Sequence, residues 1–220
     1  MCGRFAMTMP IDAMAALFEA SLANDLPQDP NYNVCPTTQI AAVISEDGHR
    51  RLSALRWGFL PHWYKTPTGG PLLINARAET IAEKPAFKAA VRTRRCLIPA
   101  SGFYEWTKDE TGARLPWYIF PPETPVVFAG IWQDWEREGL SHRSCAIVTV
   151  PANEKMQQIH HRQPLTLTAS SWAKWLGEDG HGAATLMTAA PADALSFFRV
   201  GTQVNSNRAT GASLIEPLDD

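Results

Sequence analysis

The stretch MCGRFA puts a cysteine directly after the initiator methionine. Removal of Met1 ahead of so small a side chain would leave an α-amine and a thiol on adjacent carbons of Cys2. An α-amine has a pKa of about 7.7 to 8.0, so near pH 7.5 roughly a third is free base, against about 0.1% for an ordinary lysine. Such an amine is primed to attack a carbonyl. Once it forms a Schiff base with an aldehyde, the neighbouring thiol can close a five-membered thiazolidine, an intramolecular step with an effective molarity of order 10⁵ M or more. The competing reading makes Cys2 a small buried hydrophobe beside a tethered terminus.

Three further segments carry polar groups at spacings that matter. In LLINARAET, Asn75, Arg77 and Glu79 alternate, so an extended chain turns all three the same way. Asn75 could hydrogen-bond a terminal amine or a substrate oxygen, and Arg77 could take a phosphate. In ASGFYEWTK, Glu105 falls on the face of Phe103, opposite Tyr104 and Trp106. A carboxyl among rings has a raised pKa and can act as a general acid. In QIHHRQPLTL, adjacent His160 and His161 face different ways, so one of them at most shares a site with Glu105 as a proton shuttle. Routine solvated strand faces and an idle loop histidine are the alternatives at each segment. Basic groups at Arg4, Arg77, RTRR (92–95) and HHR (160–162), with eight tryptophans, give the ingredients of a single-strand nucleic-acid groove.

These residues need a scaffold. The 220 residues are 45% hydrophobic, enough for one sizeable core, and the net charge of −2 confines any polyanion surface to a local patch. Cys2, Cys35, Cys96 and Cys145 are too scattered for a zinc site, and no cofactor motif appears. No signal pattern or membrane-length apolar run is present, so the expectation is a cytoplasmic, reduced protein, nucleoid-associated if bacterial. IDAMAALFEASL, with Ile11, Met14, Leu17, Phe18 and Leu22 on one face, predicts a helix over 11–24. Strands are expected at 38–45, 51–57, 95–100, 102–108, 116–120, 125–132 and 142–150, and a short helix at 170–177. Short connections favour antiparallel pairing. The fold class is α+β: a single compact domain over 1–220 around a bent, mainly antiparallel, barrel-like sheet with flanking short helices, its core at about 2–210 and a loose tail at 211–220.

Taken together, MCGRF, YNVCPT (32–37), RWGFLPHW (56–63), INARAET (74–80), CLIPASGFYEW (96–106), IHHRQP (159–164) and VNSN (204–207) resemble the SRAP family of abasic-site processing proteins, in order and over nearly the whole chain. The resemblance implies covalent capping of abasic sites in single-stranded DNA by a monomer that needs no small-molecule cofactor and no membrane. It makes Cys2 the crosslinking nucleophile, has Asn75 position the terminus, and gives Glu105 and His160 the proton transfers. Arg4, Arg77 and Arg162 become phosphate ligands, and Trp63 and Trp106 stack on bases or wall the cleft. It also implies lyase-type activity and autoproteolytic release of Met1. Two positions depart from the family pattern: Cys35 stands where alanine is expected, and Gln163 where methionine is usual. An N-terminal-nucleophile amidohydrolase and a non-covalent single-strand binding module are the rival readings.

Overall fold

Two dipeptides set much of the topology. Asp47-Gly48 and Glu138-Gly139 each adopt positive φ at both residues (52° and 78°, 51° and 80°), the left-handed pair that a tight two-residue hairpin requires. The computed structural model describes residues 2–23, 25–122 and 125–218. In chain order the elements are β1 (Phe5–Met7), α1 (Ile11–Phe18), β2 (Ser21–Leu22), β3 (Asn31–Val34), β4 (Gln39–Glu46), β5 (His49–Trp57), β6 (Asn75–Arg77), α2 (Ala90–Thr93), β7 (Arg95–Ala100), β8 (Gly102–Lys108), β9 (Arg114–Phe120), β10 (Val126–Arg137), β11 (Leu140–Pro151), β12 (Arg162–Pro164), α3 (Ala169–Leu176) and β13 (Ser196–Arg199).

The larger sheet runs β12-β11-β10-β7-β4-β5-β2. It closes on itself because β5 also pairs with β11, in parallel, at Ser144↔Arg56 and Cys145↔Trp57. Just beyond, β6 pairs in parallel with the same strand at Ile147↔Asn75. The second sheet, β13-β9-β8-β1-β3, is antiparallel throughout. Alternate residues of the ring strands feed separate cores, as a two-residue side-chain period demands. Val43, Leu97 and Val127 pack with Met14 and Phe18 of α1 and Trp172 and Trp175 of α3. Ile44, Ile98 and Phe128 pack instead against Phe5 and Phe103 of the second sheet, in the same core as Cys2. The Phe128 ring lies 5.9 Å from Phe5 and 5.8 Å from Phe103, edge-on to both. The expected α+β, barrel-like architecture is what the chain adopts.

Two expectations need correction. The helix predicted over 11–24 stops at Phe18. Glu19 turns left-handed (φ 52°), and Ala20 N–H returns to Ala15 O at 2.9 Å, a closure that ends the helix. Ser21 and Leu22 then pair with the edge of β5, where backbone groups would otherwise go unmatched. Ile11, Met14 and Phe18 are buried as expected, but Leu17 and Leu22 remain 40% and 47% exposed. Residues 211–218 of the expected loose tail are not loose either. Leu214 is buried against Tyr104 and Tyr118, Val200 bridges to Pro217, and Leu218 N–H reaches Arg199 O at 2.9 Å. The apolar side chains of 214 and 215 hold this segment down although it has little regular structure. Met1, Asp219 and Asp220 lie outside the described residues. No helix among the described residues is long and apolar enough to cross a membrane.

Candidate active site around Cys2

Cys2 leads directly into β1, which is wedged between β8 and β3 at Phe5↔Phe103 and Phe5↔Val34. That placement draws Cys2 into the core, with no exposed surface. Its thiol lies 3.9 Å from Arg4 O. Complete burial, then the adjacent Glu105 charge, push the thiol far above its ordinary pKa, so the sulfur is held protonated.

Asn75 begins β6, and the parallel pairing with β11 aims it at the N-terminal segment. Its Nδ2 donates to Cys2 O at 2.9 Å. Its Oδ1 is buried and accepts no hydrogen bond among the described residues. The alternation read from INARAET holds over β6, where Ala76 is buried, Asn75 half-buried and Arg77 exposed, but the strand ends there and Glu79 lies in the following turn.

Glu105 is only 3% exposed, in β8 opposite Trp117 of β9. Burial raises its pKa, which favours a neutral carboxylic acid. His160 follows a single 3-10 turn, Met156–Gln158, and Met156 and Ile159 pack into the core that holds Cys2. Arg162 N–H donates to His160 Nδ1 at 2.9 Å, which leaves the proton of a neutral ring on Nε2. Burial lowers the His160 pKa and keeps the ring neutral. The His161 ring stacks on it at 4.3 Å.

The expected cations separate into two kinds. Arg77 is exposed at the end of β6. Arg162 is not on a rim: it is 7% exposed, forked onto both carboxylate oxygens of Glu79, and donates to Thr149 O at 2.7 Å and Thr149 Oγ1 at 3.2 Å. Arg4 is half-buried, donating to Asn33 Oδ1 at 2.7 Å and Val204 O at 3.1 Å. Asn33 in turn donates to the carbonyls of Ser206 and Ala209, tying the VNSN segment to β3. The Trp106 ring has Arg114 over it at 4.4 Å and Arg4 at 5.9 Å, and its Nε1 donates to Asn205 Oδ1 at 2.6 Å. Trp63 stands on the loop after β5, 46% exposed beside His62.

Thr149 and Asn33 went unrecognised as site-supporting residues. Glu79 was singled out with Asn75 and Arg77, but its partner Arg162, met from the turn after β6, was not foreseen. Of the two departures from the family pattern, Cys35 is half-buried with its thiol 3.3 Å from Asn33 O. Gln163 is fully buried, and its Oε1 accepts Asn153 N–H at 2.9 Å.

In this barrel-like α+β domain, then, an amide is bonded to the Cys2 carbonyl and a buried carboxyl lies close to the Cys2 thiol. The family model described as SOS response associated peptidase (SRAP) matches residues 1–207, and the chain belongs to this family. It is 35% identical to the abasic site processing protein YoqW of Bacillus subtilis, over 98% of this chain and 99% of that one. It is 32% identical to the abasic site processing protein YedK of Escherichia coli, over 99% and 100%. A crystal structure of a Bacteroides thetaiotaomicron protein superposes with a TM-score of 0.86 at 24% identity, over 99% and 100% of the two chains, and supports the fold.

Proposed function

We propose that this protein caps abasic sites in single-stranded DNA by a covalent link through Cys2, exposed as the N-terminus once Met1 is removed. The observation that carries the reading is the arrangement at Cys2: its carbonyl is fixed by Asn75 Nδ2 at 2.9 Å, and Glu105 is buried close enough to act on its thiol. The names of the relatives give the substrate class, an abasic site.

The reaction follows from the protonation states that burial favours. Neutral Glu105 gives its proton to the ring oxygen of the abasic sugar while neutral His160 takes the proton of the C1′ hydroxyl, so the C1′–ring oxygen bond breaks and the open-chain aldehyde is released. The free α-amine of Cys2 attacks C1′, and water leaves to give the imine. The S–H then adds across the C=N bond, sulfur to carbon and proton to nitrogen, closing the thiazolidine. A thiol kept protonated does not compete with the amine for the aldehyde, so nitrogen attacks first. Asn75 Oδ1, buried and without a partner among the described residues, accepts an N–H of that amine in this reading. Ring closure removes the imine before β-elimination, the lyase-type branch, can cut the strand. Release of Met1 by the protein itself uses the same S–H on the first peptide bond: sulfur displaces the Cys2 nitrogen from the Met1 carbonyl carbon, the S–H proton passes to that nitrogen, and water hydrolyses the resulting thioester to free Met1 and restore the thiol. Arg4, Arg77, Trp63 and Trp106 bind the strand, as a monomer and without a cofactor.

The test is intact mass spectrometry with a denaturing gel after incubation with an abasic single-stranded oligonucleotide. The expected species is Met1-free protein plus oligonucleotide minus one water, stable to heat. A complex that dissociates in denaturant, or a Met1-bearing species that crosslinks as fast as the trimmed one, would overturn the reading.

A further inference from the structure

Arg56 is a buried cation that lacks a carboxylate. It sits near the end of β5, between Gln39 of β4 and Ser144 of β11, and is 9% exposed. One guanidinium N–H donates to Gly58 O at 2.6 Å. The position is tailored to that approach: Gly58 has φ 142°, and a Cβ there would lie 2.6 Å from Arg56 Nη1. Among the described residues no Asp or Glu pairs with Arg56, whereas Arg50, Arg143 and Arg162 all have carboxylate partners. An uncompensated buried charge is costly, and an anion is the ordinary remedy.

The arginine lines a cavity that could hold one. The cavity measures about 180 Å³; Arg56, Thr37, Thr68 and Tyr64 give it its polar groups, and its remaining wall is largely apolar, including Phe59 and Leu72. At about 30 Å³ per water this is room for roughly six waters, ample for a phosphate group. Thr37 has φ 74°, a left-handed conformation disfavoured for a β-branched residue, held by Thr37 N–H to Trp57 O at 2.7 Å. Strain of this kind persists where surroundings enforce it, and binding sites are such places. The loop over the cavity also carries exposed Trp63 and Lys65.

We infer that this cavity is a phosphate-binding site, with the Arg56 guanidinium as its charge and the Thr37 and Thr68 hydroxyls as neutral donors. The phosphate comes either from the backbone of a bound strand or from free phosphate. The inference goes beyond the capping reaction and can be measured without DNA.

The probe is inorganic phosphate, titrated against the full-length protein in chloride buffer at constant ionic strength while Tm is recorded. The expected result is a saturable rise of about 8 °C at 100 times Kd. Arg56→Gln should abolish it. Because Arg56 is buried and its loss could disturb folding, Thr68→Glu serves as the second variant: Thr68 is exposed, and the new carboxylate would occupy the site. It should abolish the rise while raising the baseline Tm. Thr66→Glu adds the same charge on the same loop outside the cavity lining and should leave the rise intact. The second arm is the salt dependence of single-stranded oligonucleotide binding. If the site takes a strand phosphate, Thr68→Glu makes the slope of log K against log salt shallower by about 0.7 relative to Thr66→Glu; equal slopes with the Tm effect present assign free phosphate. Adduct formation at saturating abasic oligonucleotide should be unchanged in Thr66→Glu, which separates this test from that of capping. A wild-type protein with no phosphate effect and no difference in slope, or a phosphate effect that survives both Arg56→Gln and Thr68→Glu, would overturn the inference.

Discussion

Around Cys2, burial drives ionisable groups towards their neutral forms, whereas at Arg162, two residues beyond His160, burial is met by a carboxylate and the charges stay. The Cys2 thiol and Glu105 are both shifted up and His160 down, with desolvation the largest cause in each. Arg162 has its charge matched by Glu79, which its hydrogen bonds to the guanidinium hold below the ordinary glutamate range. The difference separates roles. For Glu105 an apolar surround brings the two protonation states closer in energy near neutrality, whereas for Cys2 and His160 it fixes one state, the protonated thiol and the neutral ring. A group that only positions its neighbours gains from a fixed charge, and Arg162 does this through its backbone N–H to His160 Nδ1.

The largest effect expected is at the neutral end. Cys2→Ser keeps the amine and removes the thiol, so carbonyl addition should survive and ring closure should fail. Heat-stable adduct should drop by about 100-fold or more on a denaturing gel, while borohydride still traps an imine and strand cleavage rises. Absence of any trapped species, with DNA binding intact, would mean that sulfur acts before nitrogen.

Glu105 and Glu79 sharpen the comparison because their shifts have opposite signs. As a general acid, Glu105 should contribute about 100-fold to the adduct rate, so Glu105→Gln lowers it by that much. Activity should fall as pH rises through its raised pKa, and should also fall as pH drops through that of His160, where the neutral ring is lost. Stability carries the same signature. The folded Glu105 pKa lies above the ordinary value of 4.5, so its contribution is full below that value and is lost as pH rises through the folded pKa. Glu105→Gln should therefore stabilise the protein increasingly towards alkaline pH. For Glu79 the folded pKa is depressed, so its contribution is present above 4.5 and is lost as pH falls through the folded value. Parallel Tm-versus-pH curves for the two variants would erase the distinction.

Much of the neutral end was legible in the sequence, because its residues sit on strands whose alternation is local information. The strands expected at 95–100 and 102–108 are β7 and β8, and the parity of Glu105 with Phe103 put the carboxyl towards the core that Cys2 also enters. The charged end was not legible. Whether Arg162 meets solvent or Glu79 depends on β12 pairing with β11 and on β6 lying along the same strand, long-range register that no local pattern contains. The helix was overextended for a related reason: Leu17 and Leu22 fit its periodicity, but the edge of β5 competes for the backbone of 21–22. The docked tail was missed because burial of Leu214 leaves no periodic trace.

Of intermediate size is the stability cost at the charged end. Glu79 is 45% exposed and Arg162 9%, so the pair falls between the 0–1 kcal/mol of a surface bridge and the 3–5 kcal/mol of breaking a buried one. Glu79→Gln should cost about 2 kcal/mol at neutral pH, a Tm decrease of about 6 °C for a domain this size. The adduct rate should fall less than in Glu105→Gln, since Thr149 still holds the guanidinium. A thermal melt reads the first effect and gel kinetics the second; an unchanged Tm would show that Thr149 alone suffices.

The smallest effect expected is at Arg77, which is exposed and makes no ion pair among the described residues. It shares the strand of Asn75 but neither its burial nor its contact with Cys2, so under the proposed reaction it is expected to hold the DNA strand rather than to drive the chemistry. Arg77→Ala should slow adduct formation a few-fold at low protein concentration and leave the saturated rate unchanged, because loss of one phosphate contact weakens binding without touching a bond that forms or breaks. The slope of log K against log salt should become shallower by about 0.7, the single-strand value for one phosphate. Single-turnover kinetics across a protein titration separates the two parameters. An equal fall in the saturated rate would move Arg77 from the charged, positioning side of the comparison to the reacting one, and would require its guanidinium to reach the sugar that Cys2 attacks.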